Sequence, residues 1–367
     1  MHPDLTAIIT RLVQINSVNP TLAPGAPGEA EIARYIAETL KHPKVSIQLL
    51  EPAPGRVSVV ATVKGTGGGR SLMLNGHIDT VAVAGMPEPF SGAIRDGKLY
   101  GRGSYDMKGS IAASMSALLA IADNPLRGDV VLAAVADEEY GSLGTINLLR
   151  YIRTDAAIVT EPTSLNVCLA HKGYLWIEVE TKGRAAHGSR FESGIDANMR
   201  MGRFLAKLDL LEQELRVRRP HPLVGPPSLH AAMLKGGTGF STYAASCKLQ
   251  IERRTIPGET ESSVMQELNA LLDSSMEATL RPYFVRDPFE VSPNAPIVQA
   301  ALLATPGSAI IGETPWMDAA LLQAAGIETV VLGPRGAGAH AAEEWVEVKS
   351  VELLAGILHA IALDYCA

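Results

Sequence analysis

The sequence predicts an α/β protein, a mostly parallel sheet flanked by helices with a ferredoxin-like α+β domain inserted into it. Three observations predict this. Short apolar runs alternate with helical periodicity as far as Thr160, the rhythm changes after His171 to the order β-α-β-β-α-β, and the first rhythm returns beyond Arg286. Strands alternating with helices give parallel pairing with both faces covered. The middle order is that of a ferredoxin-like fold. At 367 residues the chain is long for a single core, so two domains are expected. Residues 1–171 and 287–367 would form the larger one and 172–286 the insertion.

Taken in order, helical periodicity covers Leu5–Ile15 and, past the Gly/Pro-rich LAPGAPG, Glu29–Leu40. Strands are expected at Val45–Leu50, Val57–Val63 and Ser71–Leu74. A helix at Gly109–Ile121, a strand at Val130–Ala136, a helix at Leu143–Arg153 and a strand at Ala156–Thr160 continue the alternation. Between the second and third strands, GTGGGR has no helix after it and reads as a hairpin turn rather than a phosphate loop.

In the insertion, Tyr174–Thr181 alternates as a half-exposed strand and Ile195–Leu215 is a long amphipathic helix. Strands at Ser228–Leu234 and Lys248–Arg254, a helix at Glu261–Met276 and a strand at Tyr283–Arg286 complete it. Ser308–Ile311, Met317–Ala325, Thr329–Leu332 and a closing helix at Val351–Leu363 restore the first rhythm.

Composition narrows the function classes. With 47% hydrophobic and 19% charged residues the chain is of ordinary soluble type. A net charge of −7 offers no basic footprint for nucleic acid. The longest apolar stretches, such as DVVLAAVA, fall short of the roughly 18–20 residues of a membrane span. MHPDLTAIITRLVQI lacks a basic leader region and reads as an amphipathic helix, not a secretory signal. Cys168, Cys247 and Cys366 are odd in number and without ligand spacing, as expected of reduced, buried thiols in a cytoplasmic protein.

Five segments place metal-binding or proton-handling side chains just after strand-like runs. They are His77 and Asp79 in NGHIDTV, Asp106 in GRGSYDMKG, Asp137, Glu138 and Glu139 in ADEEYGS, Glu161 in VTEPT, and His340 in GPRGAGAHAAEE. Ligands of an open α/β sheet bind outside the carboxyl ends of its strands, so distant residues can converge there. Two histidines with four or five carboxylates suit Zn²⁺, Co²⁺ or Mn²⁺ better than Ca²⁺. In His77-x-Asp79 the two side chains project the same way on a strand, which lets Asp79 orient a metal-bound imidazole. Three adjacent carboxylates at 137–139 repel one another unless a cation binds one and leaves another as a base. Each segment has a plainer reading: a core histidine, a helix-capping aspartate, an acidic turn, or a loop glutamate or histidine. The joint pattern argues for a two-metal hydrolase.

NGHIDTV, GRGSYDMKG, ADEEYGS, VTEPT and GAGAHAAEEWV stand in the order of the M20 metallopeptidase and deacylase family, and the chain resembles that family from QINSVNP to His340. The resemblance implies a zinc-exopeptidase-like catalytic domain, with His77 and Glu161 on one metal, Glu139 and His340 on the other, and Asp106 bridging. Glu138 would be the general base, Asp79 would support His77, and the Asp106–Met107 peptide would be cis. The insertion resembles the family's lid and dimerisation domain. There, His187 in GRAAHGS would steady the oxyanion and Arg254 in LQIERRTIPGE would grip a substrate carboxylate. Asp318 fits a family position near the site. The Asn-x-x-Pro element of many relatives is replaced by GGTGFSTYAASC, so substrate contacts there, with Ser241 or Thr242 as substitutes, do not carry over.

The activity implied is hydrolysis of N-acyl amino acids by a homodimer holding two divalent metal ions, Zn or else Co or Mn. A carboxypeptidase or dipeptidase on the same scaffold is the alternative, and a non-catalytic binding protein a more distant one.

Overall fold

The computed structural model describes residues 3–83 and 85–367. It divides into two compact units, one made of Met1–Leu169, Val291–Ile311 and Met317–Ala367, the other of Ala170–Glu290 and Gly312–Trp316. The first unit lays down β1 (Val45–Leu50), β2 (Ser58–Val63), β3 (Leu72–His77), β4 (Val130–Val135), β5 (Ala156–Val159) and the start of β6 (Val167–His171), whose last two residues belong to the second. The second contains β7 (Gly173–Lys182), β8 (Ser228–Gly236), β9 (Ser246–Thr255) and β10 (Ala278–Arg286), after which the chain returns for β11 (Glu328–Val331).

In the first unit the order across the sheet is β1-β2-β4-β3-β5-β11-β6. The four central strands β4, β3, β5 and β11 pair in parallel, while β1 and β2 are antiparallel additions at one side. Every residue of β3 and β4 is buried, as expected of LMLNGH and VVLAAV in a parallel sheet covered on both faces. Helices Leu5–Gln14, Gly109–Asp123 and Val348–Tyr365 supply the cover. Asp4 starts the first of them by accepting the Ala7 N–H at 3.0 Å, a side-chain cap for an otherwise orphaned donor.

The second unit is an antiparallel sheet of order β8-β9-β7-β10, with helices Ala197–Val217 and Glu261–Asn269. Alternate β7 residues Leu175, Ile177 and Val179 pack with Phe204, Leu208, Val264 and Leu268, so the strand's period of two matches a sheet covered on one face. Strand connection and sheet order are those of a ferredoxin-like fold.

Several expectations change. GTGGGR is not a hairpin turn, because β4 lies between β2 and β3 and pairs with both. The segment instead crosses the end of β4, where Thr66 and Gly67 donate to the carbonyls of Leu126 and Arg127. The helix expected to reach Met276 stops at Asn269, and the Asp273 side chain accepts from the Ser275 N–H in a local turn that competes with helix. The helix starting at Leu143 stops at Leu148. The strand β6, the helix Pro296–Ala304 and a small sheet containing Lys98–Tyr100 and Trp345–Glu347 were not legible as periodic runs. No helix among the described residues is long and apolar enough to cross a membrane. All three cysteines are buried, and none of these described residues is in a disulfide.

Candidate metal centre

His77 ends β3, Asp137–Glu139 follow β4, Glu161 follows β5, and His340 comes after β11. The parallel register of these strands brings their carboxyl ends side by side, which is where such sheets bind ligands. Asp106 arrives from the turn Ser104–Lys108 that leads into the Gly109–Asp123 helix, and its peptide bond to Met107 is cis. Gly76 leaves room beside it: a Cβ there would lie 2.6 Å from Met107 Cε and 3.0 Å from Thr160 Oγ1, side-chain atoms that would have to shift. Met107 Sδ thereby comes within 3.3 Å of the His77 N–H and accepts from it.

The His77 ring is oriented by a backbone carbonyl. Its Nδ1 lies 3.0 Å from the Asp79 carbonyl, which can only accept, so Nδ1 carries the proton and Nε2 turns to the cluster. Nε2 is 3.0 Å from Asp106 Oδ1 and 3.4 Å from Glu161 Oε1. His340 Nε2 is 3.2 Å from Asp106 Oδ2 and 3.0 Å from Glu139 Oε2. The two oxygens of Asp106 thus face two different histidines. His77, Glu138 and Glu161 can bring one ligand atom each to within 4.8 Å of one another, and so can His77, Asp106 and Glu139.

Asp79 touches His77 through its backbone. Its buried carboxylate accepts the N–H groups of Glu138 at 3.1 Å and Glu139 at 3.3 Å, and the Asn19 amide at 2.8 Å. Asn19 also donates to Asp137, as does Arg56, whose guanidinium is anchored on Glu29. A buried polar network therefore fixes the turn that carries Glu138 and Glu139.

The protonation of the cluster follows from crowding. Burial alone would lower His77, yet the carboxylates of Asp106, Glu161 and Glu138 raise it well above the usual histidine value. Burial and the charges of Glu161, Asp318 and Glu139 push Glu138 well up. Burial and Asp106 push Glu161 to about 8. Hydrogen bonds to Asp106 and Glu139 lift His340 to about 10. Asp106 itself is lowered: burial opposes ionisation, but the hydrogen bonds from both histidines outweigh it.

Four carboxylates and two imidazoles thus share one site and need positive charge between them. Each histidine Nε2 has at most one proton for two carboxylate neighbours, and Glu139 Oε1 is buried with no hydrogen-bond partner among the described residues. The donor set fits borderline divalent metals.

His187 and Arg254 belong to the second unit. His187 is exposed and its Nδ1 lies 2.8 Å from Ser189 Oγ. Arg254 donates from Nε to Glu252 at 2.6 Å and lies over the Tyr174 ring. Asp318 is buried in the first unit and accepts from Thr145 Oγ1 at 2.5 Å.

The sequence pattern of peptidase family M20/M25/M40 matches residues 73–364. The chain belongs to this family. It is accordingly an enzyme, a metal-dependent hydrolase of the M20 type. Acetylornithine deacetylase of Myxococcus xanthus is 31% identical over 99% of this chain and 98% of its own. Acetylornithine deacetylase of Proteus mirabilis is 29% identical over 99% and 97%. Among solved structures, the aminopeptidase PepT of Bacillus cereus superposes with a TM-score of 0.80 at 17% identity, covering 99% of this chain and 98% of that one, a likeness of fold alone.

Beyond the residues read from its M20 motifs, the site depends on Asn19, Glu29, Arg56, Arg102 and Glu344. Their partners lie from 27 to 242 residues away; Asn19, Arg102 and Glu344 fall inside QINSVNP, GRGSYDMKG and GAGAHAAEEWV, but nothing local assigns them these partners. The one available signal is a charged residue in a Gly/Pro-rich or apolar setting, as Arg56 in APGRVSVV and Arg102 between two glycines.

Proposed function

We propose that this M20 hydrolase cleaves the amide bond of N-acyl amino acids, in the manner of a deacetylase or desuccinylase. One observation carries the reading: Asp106 presents its two oxygens to two histidines, each of which has a second carboxylate beside it. Near-full-length likeness to two acetylornithine deacetylases supports the substrate class.

His77 and Glu161 would hold one divalent cation and Glu139 and His340 a second, with Asp106 shared and Zn²⁺ the first choice over Co²⁺ or Mn²⁺. When bound, the cations supply Lewis acidity toward the scissile carbonyl and lower the pKa of a water. Glu138 takes the proton of the attacking water and returns it to the leaving amine. Asp79 orients the Glu138 and Glu139 amides and, through its carbonyl, the His77 ring. Residues 172–286 act as a lid and dimerisation domain, with His187 donating to the oxyanion and Arg254 binding the substrate carboxylate. The enzyme works as a cytoplasmic homodimer.

The test is metal content by mass spectrometry beside hydrolysis of N-acetyl-ornithine, N-succinyl-diaminopimelate and a set of dipeptides. Two metals per chain and amide cleavage lost on chelation are expected. Cleavage of dipeptides but no acyl amino acid would replace the deacylase reading by a peptidase one. No metal uptake and no hydrolysis would remove both.

A further inference from the structure

We propose that Arg102 and Glu344 form a positioning pair that sets the separation of Asp106 and His340. The inference rests on the two-cation reading above and assigns two residues that offer no atom to the cluster. Both are 2% exposed. Glu344 Oε1 accepts the N–H groups of Tyr105 and Asp106, each at 3.0 Å. Its Oε2 accepts the Gly103 N–H at 2.9 Å and Arg102 Nη1 at 2.7 Å. Arg102 Nη2 then donates to the carbonyl of Ala341 at 2.9 Å, one residue past His340. The Gly101 N–H closes the connection on the Glu344 carbonyl at 3.1 Å.

One carboxylate therefore grips three backbone amides in the turn carrying Asp106, and its arginine grips the loop carrying His340. Neither of those residues sits inside a strand or an α-helix. His340 has a φ of 62°, the left-handed region that L-residues adopt uncommonly. Four donors, two on each oxygen, occupy the Glu344 carboxylate, which leaves it as a fastener rather than a ligand. A buried ion pair is often no more stabilising than a well-packed apolar pair of the same size. Packing alone gives no reason for this one, whereas holding two loops in register does.

The experiment titrates the chelator-treated protein with Co²⁺ by equilibrium dialysis and visible absorption, comparing wild type, Glu344→Gln, Arg102→Lys and the exposed neighbour Glu343→Gln. Glu344→Gln removes acceptors for the Asp106 turn, and about tenfold or greater loss of Co²⁺ affinity is expected, with a changed absorption band. Arg102→Lys keeps the charge but loses the fork that reaches Ala341, and a smaller loss is expected. Glu343→Gln should match wild type. A folded Glu344→Gln protein with wild-type affinity and absorption overturns the proposal. If Glu344→Gln shows no cooperative melt, Arg102→Lys decides, and wild-type behaviour in it overturns the proposal equally. Wild type that takes up no Co²⁺ defeats the two-cation reading itself. Wild type that binds Co²⁺ and hydrolyses substrate, beside variants indistinguishable from it, defeats only the positioning pair.

Discussion

The two histidines of the cluster are held by different means. His77 ends a fully buried central strand, and only 1% of its side chain is exposed. His340 stands in a loop with 55% of its side chain exposed. A strand end is placed by the ladder of its neighbours, here β4 and β5 on either side of β3. A loop has no ladder, so every degree of its placement has to come from individual hydrogen bonds. One half of the site is thus a property of the sheet, and the other depends on a few side chains remote in sequence.

Four measurements sharpen or break that contrast. The largest effect is expected at Glu138, which serves both halves. Glu138→Gln should lower kcat on the order of 10²–10⁴-fold, the usual worth of a general base, with metal content unchanged by mass spectrometry. Near-normal turnover would remove Glu138 from that role.

Next comes Arg56, which anchors the turn of the strand-held half through Glu29 and Asp137. Arg56→Met leaves those buried carboxylates without their partner and should cost about 3–5 kcal/mol in urea unfolding. A loss under about 1 kcal/mol, within the range of surface substitutions and small repairs, would mean that the sheet places Glu138 and Glu139 unaided.

The histidines themselves differ next. His77→Ala strands buried carboxylates and should destabilise the metal-free protein by about 1–3 kcal/mol, more than His340→Ala does. Calorimetry in chelator gives both values, and the reverse order would contradict the contrast.

The smallest effect is one of pH. Glu161 binds its proton up to about 8 in the fold against an ordinary 4.5, so the folded state holds more protons than the unfolded one in that window. His340, raised from 6.5 to about 10, acts in the same direction. Stability falls with pH wherever the folded state binds more protons. The Tm of the metal-free protein should therefore drop between about pH 5 and 9, and added Zn²⁺ should offset the drop, because metal binding displaces those protons. A metal-free Tm that climbs with pH would refute the charge arrangement.

What the sequence disclosed follows the same division. LMLNGH and VVLAAV carry their burial in their composition, so β3 and β4 and the residues after them were readable. The alternation of β7 announced a sheet with one covered face. The crossing at GTGGGR was not readable, because nothing local says that Val130–Val135 will come between its flanking strands. Val167–His171 is too short and too near a domain boundary to show a period. The pairing of Asn19 and Arg56 with Asp137, and of Arg102 with Glu344, is set by tertiary approach. Motif order supplied the cluster, and packing supplied what aims it.

The position of β11 has a consequence for how the chain reaches this state. β5 and β6 are close in sequence, yet β11, made far later, lies between them. Until it arrives, two apolar strands stand near each other with open edges, and their direct pairing is the nearest wrong answer. Closing so distant a contact is slow. The segment that fills the gap leads straight into the loop of His340. Closure of the sheet and placement of His340 are therefore coupled through one stretch of chain.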